Sequence, residues 1–257
     1  MSWNHAFPIY EQLQNGGRTK FTNQDIWLKA GLVANPVKGF TLNGNFSYNA
    51  FNRQFEHARP AFEVVDFELD QDNPVFVTGD DTIDALRNYN QNYVLNLFAE
   101  YEMSQLDDHY FKFIAGFNQE WDFNTRLAGD ANQLVSSNII DIGAVTGNRF
   151  VSGGKGEATL RGYFYRLNYI YKEKYLLEAS SRYDGTSRFP SGDRFGLFPF
   201  ISAGWRISNE GFMSGTRDWL DNLKIRASYG ELGNQLLGSG SQLLGNDNFY
   251  PYIPSLM

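Results

Sequence analysis

Along most of this chain apolar and polar side chains alternate with period 2, the spacing of a strand with two unlike faces. Between Phe40 and Phe51 the pattern is clearest: Phe40, Leu42, Gly44, Phe46, Tyr48 and Ala50 fall on one face, Thr41, Asn43, Asn45, Ser47 and Asn49 on the other. Ile26, Leu28, Ala30 and Leu32 alternate likewise, and Asn35-Pro36-Val37-Lys38-Gly39 between the two runs reads as a turn, which makes a hairpin. A second pair sets Tyr93, Leu95, Leu97, Ala99 and Tyr101 against Asn92, Asn96, Glu100 and Glu102, turns at Asp107-Asp108, and resumes through Phe111, Phe113, Ala115, Phe117 and Trp121. In a third, Tyr163, Tyr165, Leu167, Tyr169 and Tyr171 oppose Arg166 and Asn168; after Lys172-Glu173-Lys174, Tyr175, Leu177, Ala179 and Tyr183 oppose Glu178, Ser180 and Arg182. The fourth carries Leu197, Pro199, Ile201, Ala203, Trp205 and Ile207, then Leu223, Ile225, Ala227 and Tyr229, with Ser202, Arg206, Lys224, Arg226 and Ser228 facing the other way. The pattern predicts about eight strands of roughly ten residues, the length that crosses a bilayer when tilted.

Connections alternate as well. Short ones at residues 35–39, 104–109 and 172–174 take turns with long ones at about 52–91 and 122–159 and a middling one at 185–196. Short turns on one side and long loops on the other are the habit of outer-membrane barrels. Residues 208–222 break the rule and carry Phe212, Trp219 and Leu220, which reads as a compact turn with a helical segment. The predicted fold is therefore all-β: an antiparallel up-and-down transmembrane β-barrel, of which these strands form a part. A soluble β-sandwich, with the apolar faces in a core and the polar faces in water, is the competing architecture. Strand length and loop asymmetry weigh against it, as do Trp121, Tyr163, Tyr171, Tyr175, Tyr183 and Trp205, which lie toward strand ends where an interfacial girdle would place them. On the barrel reading Ala203→Arg is costly and Ser202→Arg, pointing into a hydrated lumen, much less so.

Composition sharpens this. The chain of 257 residues holds 5 Trp, 15 Tyr and 22 Phe, yet its mean hydropathy is −0.43. A barrel reconciles the two, because only alternate residues meet lipid. No apolar run of about 18 residues is present, so no spanning helix is expected. The absence of cysteine excludes disulfides and thiolate metal sites. With 22 Lys plus Arg against 29 Asp plus Glu, the net charge of −7 has the wrong sign for a nucleic-acid partner. The start at Met1-Ser2-Trp3-Asn4-His5 lacks a secretory leader, so a fragment of a longer exported protein is expected.

Three stretches carry a more specific likeness. The run Gly162-Tyr163-Phe164-Tyr165-Arg166-Leu167-Asn168-Tyr169, continuing through Tyr175-Leu176-Leu177 to Arg182-Tyr183-Asp184-Gly185-Thr186-Ser187-Arg188-Phe189, resembles the barrel signature of the SusC/RagA family. So do Phe198-Pro199, Ser202-Ala203-Gly204-Trp205-Arg206-Ile207-Ser208 and Glu210-Gly211-Phe212, and finally Leu223-Lys224-Ile225-Arg226-Ala227-Ser228-Tyr229-Gly230 with Gly233-Asn234-Gln235. The close match covers residues 160–235; Phe200 stands where the family commonly has a small residue. The resemblance implies that residues 1–257 are part of a TonB-dependent receptor β-barrel domain in the outer membrane of a Gram-negative bacterium. Its plug domain and TonB-binding segment would be absent here and precede the chain. It further implies a SusD-like surface lipoprotein as partner, the TonB complex as energy source, and oligosaccharides or peptides as cargo.

Candidate chemistry is sparse, and no catalytic, cofactor or metal site is expected. His5, His57 and His109 lie at no metal-ligand spacing, and His109 beside Asp107 and Asp108 reads as a solvated turn residue. No nucleophile motif occurs. The segment from Arg53 to Asn92 is acidic, with Glu56, Glu63, Asp66, Glu68, Asp70, Asp72, Asp80, Asp81 and Asp84. Asp70-Gln71-Asp72 opens like a calcium loop, but Pro74 and Val75 occupy a ligand and the turn-glycine position and Asp81 the twelfth, so an EF-hand is rejected and a hydrated loop expected. Of the inward charges, Lys112, Glu100, Arg166, Glu178, Arg182, Arg206, Lys224 and Arg226, the pair Arg166 and Glu178 falls near-diagonal and is expected to neutralise itself. Loop aromatics Phe62, Phe67, Phe76, Phe150, Phe249 and Tyr250 are candidates for stacking on sugar or on a lipoprotein lid.

Overall fold

A computed structural model of the chain describes residues 16–64, 76–78, 80–136, 138–216 and 218–233. Its strands are β1 (Arg18–Val37), β2 (Phe40–Arg59), β3 (Phe62–Val64), β4 (Phe76–Thr78), β5 (Thr82–Leu106), β6 (His109–Asn132), β7 (Arg149–Tyr171), β8 (Tyr175–Thr186), β9 (Phe195–Arg206) and β10 (Lys224–Gly230). Two short 3-10 turns, Ile207–Asn209 and Gly211–Thr216, lie between β9 and β10. Eight strands make one sheet in the order β1-β2-β5-β6-β7-β8-β9-β10, and β3 pairs β4 as a small separate ribbon. Each neighbour in the large sheet is also the next long strand in sequence, so the sheet is an up-and-down meander, as the alternation predicted.

Strand length departs from expectation. Instead of about ten residues, β1 and β2 have 20, β5 has 25, β6 has 24 and β7 has 23, while β8 and β9 have 12. Strand structure thus runs into both stretches read as long loops, leaving residues 60–81 and 133–148 as the connections. The reason lies in parity. On β2 the positions continuing the apolar face become Asn52, Gln54 and Glu56; on β7 they are Arg161, Thr159, Glu157 and Lys155. Backbone pairing persists there although this face has turned polar, and the alternation that marks the strand in the sequence breaks off.

The described residues fall into two compact units. One comprises the described chain up to Ile26 with Ala50–Gln91 and Asn124–Lys155. Its small core is Ala58, Ile83, Ala131 and Val145, with Leu134, Ile140 and Ile142 packed against it. The 133–148 connection is stapled rather than loose: Leu134 bridges Val145, the Thr146 amide donates to the Gln133 carbonyl at 2.8 Å, and the Gln133 amide donates to the Asp81 carbonyl at 2.8 Å. Arg59 joins Asp80 at 3.2 Å and Asp84 at 3.0 Å in the same unit.

The other unit comprises Trp27–Asn49, Asn92–Phe123 and the chain from Gly156 onward. Its register is continuous across four strands: Tyr163 pairs Tyr183, which pairs Leu197, and Tyr169 pairs Leu177, which pairs Ala203 and then Ala227. Every residue in these rows has the predicted parity, with Arg166, Glu178, Ser202 and Arg226 on the opposite face. The two-residue turn Lys38–Gly39 closes β1 onto β2, and Gly39, at φ +79°, supplies the left-handed conformation that a side chain resists.

Candidate functional site: an aromatic-edged band and the polar face behind it

Both faces of the second unit have functional character, and the apolar face is the more distinctive. One row of aromatics crosses it through Tyr93 and Trp121 (ring centroids 5.5 Å apart), Phe117 and Tyr163 (5.3 Å), and Tyr183 and Phe195 (5.0 Å). A second row runs through Phe111 and Tyr169 (4.6 Å), His109 and Tyr171 (4.9 Å) and Tyr171 and Tyr175 (6.3 Å), and Tyr175 pairs Trp205 in the register. Tyr163 and Tyr171 are eight positions apart on β7, about 26 Å along the strand and about 20 Å along a barrel axis at a tilt of about 40°. An outer-membrane barrel carries an apolar band about 25 Å tall between two such rows.

Between the rows lie bare aliphatic side chains, together with Phe113 and Tyr165. Leu167, Leu177, Ile201 and Ile225 leave 40, 44, 51 and 59% of their surface open. A contiguous apolar patch of this extent is foreign to a soluble monomer. No second sheet covers it among the described residues.

The polar face holds a shallow concavity of 220 Å³, lined among others by Lys112, Asn168, Glu178, Ser202, Lys224 and Arg226. Lys112 reaches Glu100 at 2.7 Å. Glu178 takes Arg166 at 3.5 Å, as its near-diagonal position predicted, and Arg226 at 3.8 Å. The Arg226 Nε also donates to the Ser202 hydroxyl at 2.8 Å. Lys224 and Arg206 stand directly opposite each other, and among the described residues neither meets a carboxylate within ion-pair distance. Ser202 is only 6% exposed. The expectation that Ser202→Arg is cheap is thereby corrected: the site is already filled by Arg226, and a further cation would crowd it.

Sequence reasoning matched Glu210 to a family motif without giving it a role. In the structure its carboxylate accepts from the Lys174 ammonium at 2.8 Å, the Tyr175 hydroxyl at 2.8 Å and the Trp205 indole N–H at 3.1 Å. These bonds, the Lys174 one foremost, hold the Glu210 carboxyl at about 2, well below the usual carboxylate range. No spacing rule could have found this site, because its members come from the β7–β8 turn, β8, β9 and the connection beyond and meet only through the register.

The other candidates are placed as follows. The His109 Nδ1 lies 2.9 Å from the Tyr169 hydroxyl and its ring stacks in the second aromatic row, which makes it part of that row. His57 meets Thr19 at 2.7 Å. Phe150 is exposed and Phe62 half-buried. His5, Asp66, Phe67, Glu68, Asp70, Asp72, Asn234, Gln235, Phe249 and Tyr250 lie outside the described residues, as do the side chains of Glu63 and Phe76. Among the described residues no group of three His, Asp or Glu side chains is placed to hold a metal ion. A hydrogen bond to Asp84, with burial, raises the Asp130 carboxyl above its ordinary value.

No family model matches the chain. Over 75 residues it is 39% identical to a TonB-dependent receptor of Formosa agariphila, a match covering 29% of this chain and 8% of that protein. In fold it is similar to the RagAB peptide transporter, with a TM-score of 0.74 at 17% identity over 90% of this chain and 25% of the other. The RagAB peptide importer in its open-open state gives 0.73 at 18% identity, covering 90% and 24%. The chain thus spans a quarter or less of the length of these relatives. Identity this low shows the fold alone, and the fold is that of a barrel wall. Over the matched 75 residues the chain is thus similar to a TonB-dependent receptor, and over nine-tenths of its length it shares the wall fold of the RagAB structures.

Proposed function

We propose that the chain forms part of the wall of an outer-membrane, TonB-dependent importer of oligosaccharides or peptides that works with a SusD-like surface lipoprotein. The observation that carries this reading is the aromatic-edged apolar band. Its height suits the bilayer, and beyond Tyr163 the same face of β7 turns to Arg161, Thr159, Glu157 and Lys155. Lipid meets the band; the charges on the other face, several of them paired, line a wet lumen. The connections at residues 60–81 and 133–148 then face the cell exterior, and the plug and TonB-binding segment belong to the polypeptide before this chain. Cargo passes by non-covalent contacts, without catalysis. RagAB transports peptides, which supports testing peptides first.

The test uses the full-length protein, tagged in its native cell. It is expected to remain in the outer-membrane pellet through carbonate washing, to leave only with detergent, and to bring a lipid-anchored surface protein with it. Release by carbonate without detergent would contradict the assignment.

A further inference from the structure

We propose that the connection from β9 to β10 is a membrane-interface anchor, with Phe212 and Trp219 seated in the lipid headgroup layer beside the second aromatic row. This rests on the reading that the apolar face meets lipid, and goes beyond it by giving lipid a contact outside the strands. The three other connections at this end of the sheet, Lys38–Gly39, Asp107–Asp108 and Lys172–Lys174, are minimal, whereas this one runs from Ile207 to Leu223. Barrel closure alone does not require that length.

Its position is fixed by chemistry. Glu210 is lashed to the Tyr175 hydroxyl and the Trp205 indole, whose rings belong to the apolar face, so the connection is tied to that face at its edge. The segment is also internally bonded. The Met213 amide donates to the Glu210 carbonyl at 3.1 Å, the Thr216 hydroxyl to the Met213 carbonyl at 2.8 Å, and the Leu220 amide to the Thr216 carbonyl at 2.9 Å. The Ser208 amide closes the base on the Leu223 carbonyl at 3.2 Å. A segment so ordered nevertheless leaves Phe212 71% and Trp219 73% exposed. Two large rings held open at the rim of an apolar band are placed as interfacial aromatics are, with apolar bodies toward acyl chains. Continuity with Tyr171, Tyr175 and Trp205 favours lipid over a protein partner as the occupant.

Single cysteines at Phe212, Trp219, Ala203 and Lys155 in the full-length protein, each carrying bimane, test this in phosphatidylcholine vesicles. Quenchers are a headgroup nitroxide lipid, a mid-chain nitroxide lipid and aqueous iodide. Positions 212 and 219 are expected to be quenched most by the headgroup nitroxide, position 203 by the mid-chain nitroxide and position 155 by iodide. Both replaced rings are largely exposed, so the substitutions leave packing intact. Iodide quenching at 212 and 219 equal to that at 155, with 203 still in lipid, would overturn the anchor alone. Shielding of 212 and 219 from all three quenchers would also overturn it, pointing to a protein cover. Iodide quenching at 203 would remove the membrane reading and the anchor with it.

Discussion

Glu210 accepts three hydrogen bonds at once, and its side chain keeps only 13% exposure. Its folded value, about 2, lies below the reference of 4.5, so the stabilisation it gives is complete above the reference and is lost as pH falls through about 2. Amide exchange protection of residues 207–223 is therefore expected to hold from neutral pH to about 3 and to fail toward 2. Glu210→Gln should lower that protection at every pH and flatten the dependence; loss in the unsubstituted protein near 4.5 would show that the carboxylate is not so held. Ser202 and Ala203 make the second case at this scale. Ala203→Arg places a cation in lipid and should cost about 2–4 kcal/mol near the midplane. Ser202→Arg should also destabilise, by crowding Arg226 and adding to the unpaired charge of Lys224 and Arg206, and this penalty should shrink with salt while the Ala203 penalty does not. Urea titrations of the full-length protein in lipid at low and high salt check both. Which face each residue occupies was legible in the sequence, because parity alone sets it. How full that face is was not, since Ser202 is buried by side chains from the next strand.

Eight strands were legible because an apolar face alternating with an amide-lined one leaves no other period. Their lengths were not, because on β2 and β7 the face that carries the band continues as Asn52, Gln54 and Glu56 and as Arg161, Thr159, Glu157 and Lys155, so the alternation that marks the strand breaks off there. Turn chemistry was legible only in part. Lys172 and Glu173 both have positive φ, 50° and 54°, in the turn closed by the Lys174 amide on the Tyr171 carbonyl at 2.9 Å. Tight hairpin turns ask for this conformation at both central residues, and Asn-Gly supplies it at least strain. Here a Lys-Glu pair is held there by its surroundings: the Lys172 amide donates to the Asp108 carbonyl at 2.7 Å, and Asn209 Nδ2 to the Glu173 carbonyl at 3.2 Å. Replacing Lys172-Glu173 by Asn-Gly should relieve about 1 kcal/mol of backbone strain. The expected result is slower unfolding in lipid; faster unfolding would mean that the Lys172–Asp108 ion pair at 3.4 Å outweighs the strain.

At the scale of the whole molecule, the proposed function asks that two different solvents meet one sheet, with its bare apolar side chains on one face and its charges on the other. Lipid on the first face and a hydrated lumen on the second satisfy both, whereas a second protein layer over the band would bury it. The resemblance at residues 160–235 rests on several motifs recurring in order, while the connections carried no readable pattern. The chain contains no cysteine, so one introduced thiol reports its own surroundings within it. Ala203→Cys sits at the centre of the band, in register with Leu177 and Ala227. In intact outer membranes a membrane-restricted thiol reagent should label it and a water-soluble one should not. Labelling by the aqueous reagent, or protection from both, would contradict the claim that this face of the sheet meets lipid.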